Sequence, residues 1–342
     1  MNNQILKQTI EQLFAGDKGL LAMDESTGTC NKRFAAVGVS QTVEMRRCYR
    51  ELIVTTPGLA ESIGGAILYD ETIRQQTKEG VPMADVLIKA GIIPGIKVDI
   101  GAKPMAGFPS EKITEGLDGL RERLAEYKEM GARFAKWRGV IAIGDGIPTT
   151  ACIKANVQVL VCYAALCQEA GIVPIVEPEV LMNGNHAMQK CFEVTELVLK
   201  ILFYQLYIHK VYLEGMILKP NMIIVGLESS VQNSVEEVAD ATIQCLLASV
   251  PASVPAIAFL SGGQSPQLAA EHLNAMHKNF KNRLPWIVSF SFSRAIQQPT
   301  LELWGGLDAN VEAAQKLLYQ RAKLASAARR GEYDISMEEK TL

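Results

Sequence analysis

Histidine is scarce in this chain, with four residues in 342. His186, His209, His272 and His277 show no zinc spacing with cysteines or carboxylates, and the five-residue step from His272 to His277 splays two side chains around a helix. No metal and no other cofactor are expected. Paired cysteines are missing too: the seven are odd in number and form no Cys-x-x-Cys, so they read as reduced thiols, most of them small core residues. There is no uninterrupted apolar run of about eighteen residues, which argues against a membrane span. Met1-Asn2-Asn3-Gln4 does not open a basic-then-apolar leader. A cytoplasmic location without a membrane partner is therefore the expectation. Nor is positive charge in excess. A formal charge of −3 and a pI near 5.9 leave no footprint for the phosphates of a nucleic acid.

What the chain does have is apolar material, 48% of its residues, enough for a large core. Length alone would point to two domains, but α/β barrels routinely exceed two hundred residues as one unit. Eight short apolar runs recur every 30 to 45 residues: 19–24, 64–70, 95–99, 134–138, 171–177, 211–219, 256–261 and 286–294. Between them lie segments with helical spacing, such as Leu117, Leu120, Leu124 and Tyr127. Alternating strands and helices build a parallel sheet, and eight such units point to closure. An open doubly wound sheet is the competitor, but Asp24-Glu25-Ser26-Thr27-Gly28-Thr29 replaces the G-x-G-x-x-G turn that fold carries after its first strand. The expected fold is α/β, a single (β/α)8 TIM barrel over residues 1–342. A leading helix occupies residues 1–18, and a flexible C-terminal tail runs from about residue 332.

Active sites of such barrels gather at the C-terminal ends of the strands. Those ends carry Asp24, Lys97 with Asp99, Lys136 and Arg138, Glu177 and Glu179, Lys219, Ser261-Gly262-Gly263, and Arg294. Charged residues ending apolar strands must pair with each other or with a ligand. Each has a plainer structural reading. Lys219 alone could be a solvated rim residue, Ser26 an N-cap, and Glu177 and Glu179 ion-pair partners of Lys136 and Arg138. Their convergence is what points to chemistry. With Lys136 close by, repulsion and desolvation both favour the neutral amine that a nucleophilic lysine needs. Adjacent glycines at 262 and 263 let backbone amides approach an oxyanion, and Arg294 adds a guanidinium that can fork onto phosphate oxygens. Ser26, Thr29, Lys97 and Arg33 are candidates for a second anion site across the mouth. Two anion sites flanking an amine fit a small bisphosphorylated substrate.

The motifs Leu21-Ala22-Met23-Asp24-Glu25-Ser26-Thr27-Gly28, Gly95-Ile96-Lys97-Val98-Asp99, Phe134-Ala135-Lys136-Trp137-Arg138 and Pro174-Ile175-Val176-Glu177-Pro178-Glu179 resemble those of class I fructose-bisphosphate aldolases. So do Tyr212-Leu213-Glu214-Gly215, Leu218-Lys219-Pro220-Asn221, Phe259-Leu260-Ser261-Gly262-Gly263-Gln264-Ser265 and Trp304-Gly305-Gly306, in family order over roughly residues 10 to 335. The resemblance implies reversible cleavage of fructose 1,6-bisphosphate through a Schiff base on Lys219. It implies that Glu177 shuttles protons, Lys136 stabilises charge, Asp24 takes the C4 hydroxyl proton, and Glu179 orients Lys136 and Glu177. Ser261, Gly262, Gly263 and Arg294 would hold the C1 phosphate; Ser26, Thr29 and Lys97 would hold the C6 phosphate. Arg138, Arg33 and Ser293 remain further substrate-site candidates. The expected partners are sugar bisphosphates and triose phosphates, and by family resemblance further copies of the chain in a homotetramer.

Three departures stand out. The chain ends Glu339-Lys340-Thr341-Leu342 where animal and plant members carry a terminal tyrosine that helps protonate the enamine. Phe292-Ser293 replaces the usual Tyr-Gly before the arginine, and Thr29 replaces a more common serine. Serine lacks glycine's freedom at positive φ, although its amide can still face a phosphate. Sedoheptulose 1,7-bisphosphate is a second substrate compatible with these residues and would suit a photosynthetic carbon cycle. The rivals are a catalytically lapsed aldolase-like binding scaffold, and a metal-dependent barrel lyase that the histidine-poor strand ends disfavour.

Overall fold

The apolar runs pair in parallel and close on themselves. In the computed structural model, which describes residues 3–281 and 283–339, the strands are β1 (Gly19–Ala22), β2 (Ile63–Leu68), β3 (Ile93–Lys97), β4 (Gly101–Pro104), β5 (Lys112–Glu115), β6 (Phe134–Ile141), β7 (Val173–Val180), β8 (Ile217–Leu218), β9 (Ala256–Phe259) and β10 (Ile287–Phe292). Eight of them form a closed barrel in the order β1-β10-β9-β8-β7-β6-β3-β2. The helices are α1 (Asn3–Leu13), α2 (Thr27–Ala36), α3 (Val43–Val54), α4 (Asp70–Ile73), α5 (Met83–Lys89), α6 (Leu120–Glu129) and α7 (Thr150–Glu169). They continue as α8 (Met188–Ile208), α9 (Val235–Ser249), α10 (Pro266–Phe280), α11 (Arg294–Trp304), α12 (Val311–Arg330) and α13 (Ser336–Glu339). Helices following strands around a closed parallel sheet make this a (β/α)8 barrel.

Side-chain alternation divides the hydrophobic interior into two parts. Inward residues Leu20, Ala22, Ile67, Phe134, Val173, Ile175, Ile217, Ala256 and Ala258 fill the N-terminal half of the barrel. They pack against Leu6, Ile10, Leu13 and Phe14 of α1 and its last turn, so this helix closes the N-terminal opening. The spacing of those four residues lays one apolar stripe on the barrel, and burying such side chains stabilises by roughly 1.5–3 kcal/mol each. The approach is close: a Cβ added to Gly64 on β2 would stand 2.0 Å from the Leu13 carbonyl oxygen. Outward residues such as Leu21, Ala135, Trp137, Val176, Phe259, Phe290 and Phe292 form the larger cluster between strands and helices. By length and composition α7 is apolar enough to cross a membrane, yet half of it is buried, packed along β6 and β7.

Three expectations are corrected. The run 211–219 yields only two strand residues, because Leu213–Gly215 turns as a 3-10 helix before β8. The run 286–294 ends at Phe292, and Arg294 is the first residue of α11. The tail expected to hang loose from about residue 332 is docked through α13. Tyr333 is buried, its amide donates to Asn274 at 2.9 Å and its hydroxyl to Glu338 at 2.8 Å, and Glu338 pairs with Arg321. The end at Lys340-Thr341-Leu342 lies outside the described residues. A further element, the β4–β5 antiparallel hairpin between β3 and β6, was not anticipated.

Candidate active site

The period that sends Leu20 and Ala22 into the barrel carries on to Asp24 just past β1. It likewise carries Phe134 to Lys136, Val173 and Ile175 to Glu177, and Ile217 to Lys219. These four side chains lie above the apolar half of the barrel, between 3% and 8% exposed. Lys136 Nζ stands 2.6 Å from Asp24 Oδ2 and 3.3 Å from Glu177 Oε2, while Lys219 Nζ stands 3.1 Å from Glu177 Oε1. Two cations and two anions make the set neutral, which makes its burial tolerable. Burial pushes both carboxyls up, but the lysines outweigh it and hold Asp24 and Glu177 below the usual carboxylate range. Burial pulls the Lys136 ammonium down, and Asp24 and Glu177 more than restore it, so its proton is held firmly. A lysine beside an ionised carboxylate can hand over a proton and act as a nucleophile. The same carboxylate can return that proton to a leaving oxygen.

Around this layer opens a cavity of about 1020 Å³. On one side Ser26 caps α2, accepting from the Thr29 amide at 3.4 Å with the two hydroxyls 3.2 Å apart. Both line the cavity at a helix N-terminus, where amides and dipole favour an anion. Lys97 also lines it, 2.6 Å from Asp99 Oδ1 and 5.9 Å from the centre of the Tyr69 ring. On another side Ser261 and Gly262 face in from the loop after β9. Gly262 and Gly263 have φ of +55° and +94°, a left-handed turn in which glycine is unstrained. Arg294 lines the cavity beside them, with no hydrogen bond or ion pair of its own among the described residues. Burial and the neighbouring Arg33 guanidinium pull Arg294 below its ordinary range.

Two expected placements differ. Glu179 pairs with Arg138 rather than bridging to Lys136 or Glu177, since Arg138 on the adjacent strand offers the nearer cation. Arg33, expected with Lys97 across the mouth, pairs with Glu25 and donates to Ser293 Oγ at 3.3 Å, at the β10–α11 junction. Ser293 itself has φ −110°, so it needs none of glycine's freedom.

Several contributors were not read from the chain. Glu25 lies one step out of phase with Asp24, turns away from the barrel axis, and is buried between Arg50 at 2.7 Å and Arg33. A carboxylate on the outward face of an apolar strand end was the available signal, because such a group must find cations. Gln264 donates to the Ser261 carbonyl at 3.0 Å, and its own oxygen faces His272 Nδ1 at 2.5 Å, which braces the glycine loop from behind. Nothing in the local pattern marked that contact. Among the described residues no cluster of three histidine, cysteine, aspartate or glutamate side chains could hold a metal ion.

The chain is similar to known proteins over nearly its whole length. A family model described as fructose-bisphosphate aldolase class-I matches residues 5–342. A probable fructose-bisphosphate aldolase class 1 from Xanthomonas campestris pv. campestris is 54% identical over 334 residues, covering 97% of this chain and 99% of that one. The cytosolic fructose-bisphosphate aldolase 6 of Arabidopsis thaliana is 49% identical over 316 residues, 92% of this chain and 88% of its own. Among solved structures, a fructose-bisphosphate aldolase from Plasmodium falciparum superposes with a TM-score of 0.94 at 43% identity, covering 97% of this chain and 96% of that one.

Proposed function

Because the chain belongs to the class-I fructose-bisphosphate aldolase family, we propose that it cleaves fructose 1,6-bisphosphate reversibly into dihydroxyacetone phosphate and glyceraldehyde 3-phosphate through a Schiff base on Lys219. The observation that carries the proposal is the buried Glu177 carboxylate, within 3.1 Å of Lys219 and 3.3 Å of Lys136. In this reading Glu177 takes a proton from the Lys219 ammonium, and the free amine adds to the C2 ketone to give a carbinolamine. Glu177 then returns the proton to the carbinolamine hydroxyl, which leaves as water, and the nitrogen lone pair closes a protonated imine. Asp24 removes the C4 hydroxyl proton, the aldehyde forms at C4, and the C3–C4 electron pair flows into the imine to leave an enamine. C3 is then protonated, balancing the proton held by Asp24, and water hydrolyses the imine to free the second triose phosphate. Lys136 keeps its positive charge beside Asp24 and Glu177 while each in turn takes up and releases a proton.

Ser261, Gly262, Gly263 and Arg294, with the Ser293 amide, hold the C1 phosphate in this proposal, and Ser26, Thr29 and Lys97 hold the far one. Arg138 and its partner Glu179 border the sugar. The cavity extends past Lys97 to Tyr69, Arg74 and Tyr127, which supports use of sedoheptulose 1,7-bisphosphate with its additional carbon. The reaction serves glycolysis in one direction and gluconeogenesis in the other, and the longer sugar belongs to the Calvin cycle. A cytoplasmic setting is supported by the cytosolic Arabidopsis relative. Assembly into a homotetramer is supported by apolar surface on α8, where Leu197, Tyr204 and Ile208 are about half exposed or more on one helical face.

The deciding experiment incubates the protein with dihydroxyacetone phosphate, adds borohydride, and maps the modified peptide by mass spectrometry. A stable adduct on Lys219, lost in Lys219→Met, is the expected result. A folded protein that cleaves the sugar without any adduct overturns the lysine mechanism; one that neither cleaves nor traps is the lapsed scaffold.

A further inference from the structure

Ser293 occupies the position at which the resembling motif carries glycine, and its hydroxyl has all three of its hydrogen-bonding capacities used. It donates to Glu25 Oε1 at 2.7 Å and accepts from Arg33 Nη1 and from Gln297 Nε2, each at 3.3 Å. Gln297 also donates to the Ala22 carbonyl at 2.6 Å, which ties α11 back to β1, and its other hydrogen is shared between Ser293 and Glu25 Oε1, the latter at 3.1 Å. Burial pushes the Glu25 carboxyl up, but Arg50 and Arg33 outweigh it and bring it to about 2, so the acceptor under Arg33 is ionised at neutral pH. Both acceptors that hold the Arg33 Nη1 are therefore fixed at the β10–α11 junction, where Arg294 begins its helix.

Two guanidiniums facing one cavity repel each other, and the one on Arg294 has no carboxylate in contact with it among the described residues. Such an arrangement is stable only when something restrains the second cation, and it becomes favourable when an anion sits between the two. Resting on the reading given under Proposed function, we propose that the Ser293 hydroxyl is a positioning group that, together with Glu25, holds Arg33 beside Arg294 so that both guanidiniums serve the phosphate on C1. Arg33 on this view belongs to the near phosphate site and not to the far one with Lys97.

The test compares Ser293→Ala and Ser293→Gly with the unchanged protein on two substrates, fructose 1,6-bisphosphate and fructose 1-phosphate, which lacks the far phosphate. The expected result is a rise in KM of about two- to tenfold, the range of one net hydrogen bond, by the same factor for both substrates and with kcat altered less than twofold. A rise confined to the bisphosphate would assign Arg33 to the far phosphate and overturn the proposal; an unchanged KM for both substrates would overturn it as well. Ser293→Gly, which keeps the backbone that the resembling motif uses, serves if Ser293→Ala fails to fold. Borohydride trapping on the unchanged protein separates the two readings. An adduct at Lys219 alongside unaltered KM values in both variants sinks only the role of Ser293.

Discussion

Glu177 faces Lys219 at 3.1 Å through one carboxylate oxygen, while its other oxygen, 3.3 Å from Lys136, is buried without a hydrogen bond among the described residues. An oxygen held within ion-pair range but lacking hydrogen-bond geometry is an acceptor in waiting. It can receive a proton, or a substrate hydroxyl, without first breaking a bond to the protein. The same carboxylate is thus joined to the proposed nucleophile on one side and open to an incoming proton on the other.

Replacing Glu177 by glutamine keeps the shape and removes the base. We expect kcat to fall by about 10²–10⁴-fold, the usual contribution of a positioned acid or base, and borohydride trapping at Lys219 to slow in parallel. Circular dichroism separates this from unfolding. Trapping at the unaltered rate would remove Glu177 from the proton path.

Gly263→Ala tests the glycine loop. At φ +94° a side chain is strained by about 1–3 kcal/mol, and the added Cβ would lie 3.4 Å from Arg294 Nη2. A higher KM for dihydroxyacetone phosphate, with a lower melting temperature, is the expected outcome. If KM stays unchanged while the melting temperature drops, the loop shapes the fold and not the phosphate site.

His272 and His277 predict an acid-sensitive fold. Burial brings each from an ordinary 6.5 to about 4, so both stay neutral in the native state. Between pH 6.5 and 4 the unfolded chain takes up protons that the folded chain refuses. Their stabilisation is therefore complete above pH 6.5 and is lost as the pH falls toward 4, on the order of 3 kcal/mol apiece at the acid end. The melting temperature should drop between pH 7 and 5, and His277→Gln, which can still donate to the Val288 carbonyl, should flatten that slope. Parallel curves for the two proteins would exclude the histidines as the cause.

Gly64→Ala should destabilise by about 1–3 kcal/mol or more, because the new Cβ meets the Leu13 carbonyl of the α1 segment at 2.0 Å and backbone must move. Urea unfolding reads the loss directly. Since the contact lies at the end of the barrel away from Lys219, kcat in the folded fraction should be unaltered; a matching fall in kcat would mean that α1 shapes the site.

The strands of the barrel were legible because each carries a short apolar run, and the inward charges were legible because they end those runs. Asp24, Lys136, Glu177 and Lys219 follow inward apolar residues by two positions, a spacing that strand alternation turns into one shared layer. Apolar runs do not mark where a strand begins, which is why 211–219 contains a 3-10 turn and only two strand residues. The hairpin at 101–115 leaves no legible signal because Gly101, Pro104, Gly107 and Pro109 interrupt any alternation. Pairing was harder still. Which acid meets which base depends on strand neighbours: the sequence offers Glu177 and Glu179 as partners of Lys136 and Arg138 without assigning them, and the pairs Glu179 with Arg138 and Arg33 with Glu25 are fixed only in the fold.

Beneath the charged layer lie apolar side chains, the helix that closes the barrel, and Ser289, whose hydroxyl donates to the Lys18 carbonyl at 3.2 Å. Hydrocarbon conducts no protons, so Asp24, Lys136, Glu177 and Lys219 exchange with bulk water through the open mouth alone. A ligand spanning that mouth would narrow their contact with bulk water, and until it departs their protons would pass chiefly among the groups that line the cavity and the guest itself.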